Sequence, residues 1–374
     1  MTRGGWRIAA LGLAAVLLAL GCTSGQATPP PDDRGPTGIV ALLLPDKDAT
    51  RYESSDAPAF EAELGKVCPN ATVDEQNAEG SGPMQQLQVE AEIAKGARVV
   101  VLDAVDGSAM GSVVSDASAR SVKVISYDRL LTAAGSKPDA FVGYDAEQAG
   151  VLQGRALLAR LAAAAHAPAR VVWITAPSAD PASALLQRGA HSVLAAKVDI
   201  VDQASVAGQE PKAAQAIMAA SIARVGSNGY DGVYAATDGV AAGAVAAERA
   251  AGIDPASRPI SGGGSELDAI QRLLAGSQAM TIYDPVRPEA VKAADLACAA
   301  LAGKALPVQP TINNGTADIP AILLAPSAVT RDGRPSGTVS IEASVVRDHL
   351  FGTDTVAQIC TPELAASCAA AGIK

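Results

Sequence analysis

The sequence predicts an α/β protein built as two lobes, each a doubly wound parallel sheet. Short apolar runs that are typical of buried strands recur along the chain, and a stretch with helical spacing follows most of them. The apolar runs lie at 39–44, 98–102, 122–127, 140–142, 171–175, 198–201, 232–236 and 259–262. Continuous apolar strands that alternate with helices indicate a parallel sheet covered on both faces. There are too many such units for one small sheet.

An internal similarity also favours two lobes. Residues 97–117 (ARVVVLDAVDGSAMGSVVSDA) and 230–250 (YDGVYAATDGVAAGAVAAERA) share an apolar strand, an acidic turn and a helix of small residues. We interpret this as a duplicated lobe, although any alanine-rich α/β unit gives a similar pattern.

The first residues indicate export from the cytoplasm. Arg3 and Arg7 precede an apolar and glycine-containing run at 8–21, and Cys22 follows it. This run is shorter than the roughly 20 apolar residues that a membrane-spanning helix needs, and it fits a secretion signal. The segment LALGC, residues 18–22, resembles a bacterial lipobox, which implies that Cys22 carries lipid. The alternative is an ordinary signal peptide with an incidental cysteine.

Residues 22–38 are rich in Pro, Gly, Ser, Thr and Asp and lack an apolar period, so we expect a flexible tether.

Removal of residues 1–21 takes away two arginines and changes the net charge of the chain from −10 to −12. A strongly acidic protein is poorly suited to phosphate backbones, so we expect no nucleic-acid partner. We therefore expect a location in the cell envelope, outside the cytoplasm and anchored to a membrane by lipid.

Beyond Cys22 the chain has four cysteines, an even number that suggests disulfides in an oxidising compartment. Cys360 and Cys368 are close in sequence, so we pair them first, which leaves Cys68 with Cys298. Residues 351–374 are then expected to form a tail pinned by a disulfide. Metal binding is the rival interpretation, but the sequence has neither a Cys-x-x-Cys motif nor paired histidines. We expect no metal and no cofactor.

Five segments follow one another in the order KVISYDRLL, FVGYDAEQAGVLQGRALL, ATDGVAAGAVAAERAAGI, ISGGGSELDAIQRLLAGSQAMTIYDPV and TINNGTADIP. In these segments the sequence resembles the periplasmic sugar-binding protein family, the substrate-binding lipoproteins of ABC transporters. The resemblance covers most of residues 38–350. It implies an N-terminal lobe of 39–143 plus 283–320 and a C-terminal lobe of 144–282 plus 321–350. Three chain crossings near 143, 283 and 320 would form the hinge.

The resemblance also implies ligand contacts in the first lobe. Arg51 and Tyr52 stand where the family has an arginine and an aromatic residue, and Asp128 and Arg129 match its Asp-Arg pair at a strand end. A carboxylate accepts hydrogen bonds from sugar hydroxyls, a guanidinium donates in a fixed fork, and an aromatic face packs on sugar C–H groups. The expected ligand is a small polar molecule such as a xylose-like monosaccharide.

The second lobe departs from the family pattern. Asp180 lies in a turn where the family has asparagines, and Thr237 with Asp238 replaces an Asn-Asp pair. Glu266 is the acid nearest to the position of a missing carboxylate, and Asp284 stands where the family has a lysine. The ligand could accordingly be another pentose or hexose, a polyol or a non-sugar.

The sequence also bears on three rival functions. An enzyme is disfavoured because the first strand is not followed by Gly-x-Gly-x-x-Gly and no Gly-x-Ser-x-Gly occurs. A related transcriptional repressor would need a DNA-binding helix pair where the signal sequence stands. A receptor lipoprotein that feeds a signalling partner is not separable from a transport protein by sequence. We expect a monomer that delivers its ligand to an ABC-type permease.

Overall fold

The structure, a computed structural model, describes residues 35–46, 51–162, 166–175, 181–206, 210–334, 338–341 and 356–373. The expected signal segment and Cys22 lie outside these residues, as does Asp180. None of the helices within the described ranges is long and apolar enough to cross a membrane.

Between Gly38 and Leu301, strands and helices alternate over most of the residues that the structure describes, as the apolar pattern predicts. The strands are β1 (Gly38–Leu44), β2 (Ala71–Asn77), β3 (Ala97–Leu102), β4 (Lys123–Tyr127), β5 (Ala140–Tyr144), β6 (Ala169–Thr175), β7 (Val198–Ser205), β8 (Gly232–Ala235), β9 (Thr281–Tyr283), β10 (Thr311–Asn313), β11 (Asp318–Leu324), β12 (Ser327–Thr330) and β13 (Thr338–Ser340). The helices are α1 (Ala57–Val67), α2 (Gly82–Lys95), α3 (Gly111–Ala119), α4 (Ala146–Leu161), α5 (Pro181–Leu194), α6 (Pro211–Val225), α7 (Asp238–Ala250), α8 (Leu267–Ala275), α9 (Val286–Leu301), α10 (Val356–Ile359) and α11 (Ala365–Ala370).

The first sheet has the order β10-β11-β5-β4-β3-β1-β2, and its strands are parallel except at the antiparallel β10–β11 pair. β1 shows why it forms. Successive side chains of a strand point to opposite faces. Val40, Leu42 and Leu44 pack on the face that α1 and α9 cover, and Ala41 and Leu43 pack on the opposite face. Burial on both faces explains the unbroken apolar sequence of this strand.

The second lobe is built on the parallel sheet β7-β6-β8, beside which lies the small sheet β13-β12-β9. The strand predicted at 259–262 contributes a single bridge, between Val233 and Ile260. Trp173 on β6 is fully buried, and its ring stacks on Tyr234 with centroids 4.0 Å apart. This tryptophan is therefore part of the core.

Helices α4 and α5 pack in backbone contact. A Cβ atom on Gly150 would lie 1.9 Å from the Leu186 carbonyl oxygen, and one on Gly189 would lie 2.0 Å from the Glu147 carbonyl oxygen. No side chain fits at either position, so glycine is required there by close approach and not by backbone conformation.

The chain passes between the two sheet systems three times. It leaves the first sheet after Tyr144, returns after Tyr283 to form α9, and leaves again after β11. β11 ends at Leu324, four residues beyond the crossing expected at 320, because residues 321–324 pair with β5.

The C-terminal tail packs on the second lobe. Ile359, Cys368 and Ile373 are buried against Ile270 and Leu274 of α8. The Cα atoms of Cys360 and Cys368 are 5.9 Å apart, and those of Cys68 and Cys298 are 5.7 Å apart. Both separations are in the range that a disulfide spans.

Candidate functional site

The carboxyl ends of the central strands carry charged side chains, among them the predicted Asp128 and Arg129. Asp46 follows β1, Asp103 follows β3, and Asp128 and Arg129 follow β4. These strands are neighbours or next neighbours in the first sheet, so the residues after them meet at one edge. Ligands of open parallel sheets bind at this edge.

Arg51 is held at the centre of this edge by carboxylates. It precedes a π-helical turn, Tyr52–Asp56, that leads into α1. Its Nε and Nη2 donate to the two carboxylate oxygens of Asp56 at 3.1 and 2.8 Å. Its Nη1 lies 3.3 Å from Asp128 Oδ2, and its Nη2 lies 3.7 Å from Glu289 Oε2. The planar guanidinium is therefore fixed by charged partners on separate segments of the chain.

Tyr127 completes the support of this group, because its hydroxyl donates to Asp56 Oδ1 at 2.5 Å. Burial raises the pKa of this phenol, and the negative charges of Glu289 and Asp56 raise it further. The tyrosine therefore stays protonated and acts as a donor.

Arg129 is the second arginine at this edge of the sheet, and it contacts residues that follow β1 and β3. Its Nη2 donates to the Tyr52 hydroxyl at 3.4 Å, and its Nη1 donates to the Ala104 carbonyl at 3.3 Å. Its Nε is 3.6 Å from Asp103 Oδ1, and its Nη2 is 4.0 Å from Asp46 Oδ2. The structure thus brings together the four predicted first-lobe residues, since Arg51 contacts Asp128 and Arg129 contacts Tyr52.

Asp128 has a left-handed backbone with a φ of 57°. Few residues other than glycine adopt this conformation, and aspartate does so more readily than most. Residues in such conformations cluster at binding sites, where the surrounding structure holds them. The side chain of Asp128 remains 25% exposed, so it can reach a ligand.

Several carboxylate oxygens near these arginines lack a hydrogen-bond partner among the residues that the structure describes. They are both carboxylate oxygens of Asp103, Oε1 of Glu289 and Oδ1 of Asp284. Asp103 is fully buried and Glu289 is 1% exposed. Buried polar atoms in folded proteins nearly always have a partner. These oxygens are therefore buried acceptors that no other described residue satisfies.

The surroundings shift the pKa of all three acids upward. Burial raises the pKa of Asp103 and of Glu289, and the negative charge of Asp128 adds to both shifts. Burial together with Asp128 raises the pKa of Asp284 to about 7, against the opposing effect of Arg51. Each of these three acids therefore binds a proton more readily than an exposed carboxyl does.

A cavity of about 580 Å³ adjoins this edge. Asp128, Arg129 and Tyr144 line it from the first sheet, and Pro181 and Ala182 at the start of α5 line it from the second lobe. Its volume is in the range of small-molecule sites. The hydroxyl of Tyr144 donates to the Pro285 carbonyl at 2.6 Å. This hydrogen bond connects the first chain crossing, after Tyr144, to the second, after Tyr283.

The predicted second-lobe residues form a separate network. Asp238 is fully buried, and its carboxylate accepts from Thr281 Oγ1, from Gln278 Nε2 at 2.7 Å and from the Glu266 backbone N–H at 3.1 Å. Thr237 caps α7 by accepting from the Val240 N–H at 3.3 Å. The side chains of Asp238 and Thr237 therefore make hydrogen bonds within the second lobe, whereas Glu266 is exposed to solvent.

Sequence reasoning did not select Asp56, Asp103 or Glu289 as site residues. Asp103 could have been selected, because it follows a buried strand directly. Asp56 and Glu289 are acids at buried helical positions, and their partner Arg51 is distant from Glu289 in sequence. Among the described residues, no three acids, histidines or cysteines are grouped so that they could hold a metal ion.

Comparison with known proteins identifies the class to which this fold and site belong. Residues 40–305 match the family model of the periplasmic binding protein domain, so the chain belongs to the periplasmic binding protein family. The fold prediction is thereby confirmed.

Two curated relatives and two solved structures illustrate the similarity. The chain is 30% identical over 279 residues to the D-xylose-binding periplasmic protein of Escherichia coli, which covers 73% of this chain and 79% of the relative. It is 31% identical over 286 residues to the protein of the same name from Haemophilus influenzae, with 75% and 81% covered.

The solved structures share the fold. An ABC transporter solute-binding protein from Clostridium phytofermentans with bound β-D-glucose superposes with a TM-score of 0.68 at 22% identity, covering 84% of this chain and 99% of that one. The Caulobacter myo-inositol-binding protein superposes with a TM-score of 0.59 at 24% identity, covering 78% and 93%.

Proposed function

We propose that this protein is an extracytoplasmic solute-binding protein that captures a monosaccharide and delivers it to an ABC-type permease. The observation that carries the proposal is the pair Asp128 and Arg129, which lines the cavity at the carboxyl edge of the first sheet. Sugar hydroxyls donate to the carboxylate of Asp128, and the guanidinium of Arg129 donates to sugar oxygens. The names of the relatives, which refer to xylose and other sugars, support the same ligand class.

The ligand is held by the first lobe before the second lobe closes on it. We assign residues 39–144 with 284–324 to the first lobe and residues 145–283 with 325–341 to the second. Asp128 and Arg129 contact the ligand in the open state, and the start of α5 approaches it on closure. Closure is driven by contacts that exist only in the closed state, which is how a ligand shifts a two-state equilibrium.

The proposal is tested by a thermal-shift screen of the purified chain against pentoses, hexoses and polyols. A sugar present at 100 times its dissociation constant is expected to add about 2.7 kcal/mol of stability. Asp128→Ala should weaken binding of that sugar by about 1.5–3 kcal/mol, the contribution of a hydrogen bond to a charged group.

The matched control is Asp74→Ala, which removes the same group from the edge strand β2, where it pairs with Lys95. This variant should bind the sugar as the unaltered chain does. Unchanged affinity in Asp128→Ala would contradict the site, and the absence of a shift with every sugar would contradict the ligand class.

We also propose that the mature protein is a monomer anchored to the membrane through lipid on Cys22. The lipobox-like segment before Cys22 supports this assignment. Cys22→Ser should abolish the incorporation of a labelled fatty acid that the unaltered chain shows in a bacterial host. Equal labelling of the serine variant would exclude anchoring through this cysteine.

We further propose that the protein contains two disulfides, Cys68–Cys298 and Cys360–Cys368. An extracytoplasmic location is oxidising enough for both to persist. The first joins the end of α1 to α9, and the second closes the tail against α8.

A further inference from the structure

A second cavity, of about 430 Å³, lies on the second lobe away from the ligand edge. Pro259 lines it, and the Pro259 carbonyl accepts from the Val233 N–H near the amino-terminal end of β8. Pro181 and Ala182, which line the cavity of the proposed sugar site, follow the carboxyl-terminal end of β6. Because β6 and β8 are parallel, the two cavities lie at opposite edges of the second sheet. The second cavity is therefore separate from the proposed sugar site.

Three arginines line this second cavity, in a chain whose net charge is −10. Arg160 is in the last turn of α4, Arg258 precedes Pro259, and Arg331 follows β12. Among the described residues of the lining, Asp332 is the one acid, and its Oδ1 lies 2.8 Å from Arg160 Nη2. Three arginines against one aspartate leave the lining with a formal excess of two positive charges.

The excess resides on Arg258 and Arg331, which are held by neutral groups. Arg258 Nη2 donates to the Ser227 carbonyl at 2.5 Å, and Arg331 Nη1 donates to the Leu274 carbonyl at 3.5 Å. The guanidinium of Arg258 also lies over the ring of Tyr230, 4.3 Å from the ring centroid. Neither arginine forms an ion pair with a residue that the structure describes. Each guanidinium has five N–H donors, so both keep donors beyond these contacts.

Glu248 does not neutralise the lining. Its carboxyl is fully buried, accepts from the Tyr230 hydroxyl at 2.7 Å and lies outside the cavity. Burial raises the pKa of Glu248 to about 7, so this carboxyl is partly protonated at neutral pH. Positive charges around one cavity repel one another, and an anion in the cavity relieves that repulsion.

We infer that this cavity binds a phosphate group, to whose oxygens Arg258 and Arg331 donate. A phosphate carries a charge of about −1.5 to −2 near pH 7, which matches the excess of the lining. The planar guanidinium can donate two parallel hydrogen bonds to a phosphate, and such charge-assisted bonds are stronger than neutral ones. Arg160 is 37% exposed and Asp332 is 47% exposed, so the ion can enter from solvent. The inference goes beyond the proposed function and does not depend on it.

Isothermal titration calorimetry of the full chain with inorganic phosphate tests the inference, at pH 7.5 in a buffer that contains no other oxyanion. Phosphate should bind about tenfold more tightly than acetate at the same ionic strength, because acetate carries a single charge. Arg331→Gln should weaken the binding of phosphate about tenfold or more, the effect of losing a hydrogen bond to a charged group. The matched control is Arg249→Gln, the same change at an exposed position of α7 outside this cavity, which should leave the affinity unchanged.

Asp332→Asn should act in the opposite direction. It removes the acid of the lining and should strengthen the binding of phosphate several-fold. A purely structural role of these side chains would not give effects of opposite sign, and this variant keeps the inference testable if Arg331→Gln fails to fold.

Vesicles of phosphatidylcholine that contain phosphatidic acid distinguish a lipid phosphate from a free one. Co-sedimentation with these vesicles that Arg331→Gln abolishes, without binding of inorganic phosphate, would assign the phosphate to a lipid. Absence of binding to both probes, equal affinity for phosphate and acetate, or equal phosphate affinity in Arg331→Gln, Asp332→Asn and the unaltered chain would overturn the inference.

Discussion

Replacing Cys68 and Cys298 together by alanine is expected to lower the free energy of unfolding by about 5 kcal/mol. The two cysteines are 230 residues apart, and a disulfide that closes a long loop removes much of the conformational entropy of the unfolded chain. The measurement is guanidinium chloride denaturation under non-reducing conditions, followed by circular dichroism.

The second pair of cysteines serves as the matched control. Cys360 and Cys368 are 8 residues apart, so replacing both by alanine should cost roughly 2–3 kcal/mol. Reductant should destabilise the unaltered chain but not the variant that lacks both pairs. Equal losses from the two replacements would contradict an entropic origin, and the absence of loss from the Cys68–Cys298 replacement would contradict the disulfide.

Arg51→Met is expected to destabilise the fold by about 3–5 kcal/mol at pH 8, the effect of removing one partner of a buried ion pair. Asp56 and Glu289 are each 1% exposed and would lose their cationic partner. Thermal and chemical denaturation of the ligand-free chain measure the loss.

The loss should depend on pH in a defined direction. Carboxyls whose folded-state pKa is raised bind protons that the unfolded chain has released, so their contribution to stability falls as pH rises from about 4 through the folded-state pKa. Asp284, with a pKa of about 7, and Glu289 behave in this way. Because methionine removes the opposing positive charge, the destabilisation should be smaller at pH 5 than at pH 8.

Arg224→Met is the control for this prediction. The guanidinium of Arg224 is 54% exposed and pairs with Asp202 on the surface, where ion pairs contribute less than about 1 kcal/mol. A loss in Arg51→Met that equals the loss in this control, or that stays constant between pH 5 and pH 8, would show that the buried carboxylates do not depend on Arg51.

The buried strands could be predicted because burial on both faces leaves an unbroken apolar sequence. β2 could not, because it pairs only with β1 at the edge of the sheet and its sequence, ATVDEQN, is mostly polar. The segment 259–262, PISG, is predicted as a strand but contributes only one bridge, since the chain turns away through glycines towards α8. Local sequence therefore predicts the central strands of a sheet better than its edge strands.

The site residues also differ in how well the sequence predicts them. Arg51, Tyr52, Asp128 and Arg129 could be selected because they directly follow strands or align with a family motif, and the structure brings them together. Asp238 matches the family position equally well, but its carboxylate is engaged by Thr281 and Gln278, which are distant in sequence. Whether a polar group faces a ligand or the protein depends on contacts that only the fold supplies.

The positions of Cys68 and Cys298 have a further consequence for the integrity of the molecule. Residues 69–297 lie between them and include the excursion of the chain into β6, β7 and β8 together with two of the three crossings. A bond between these cysteines makes that whole region a covalently closed ring. A protease that cuts one surface loop of the second lobe would therefore leave both fragments tethered, and the fragments would separate only after reduction.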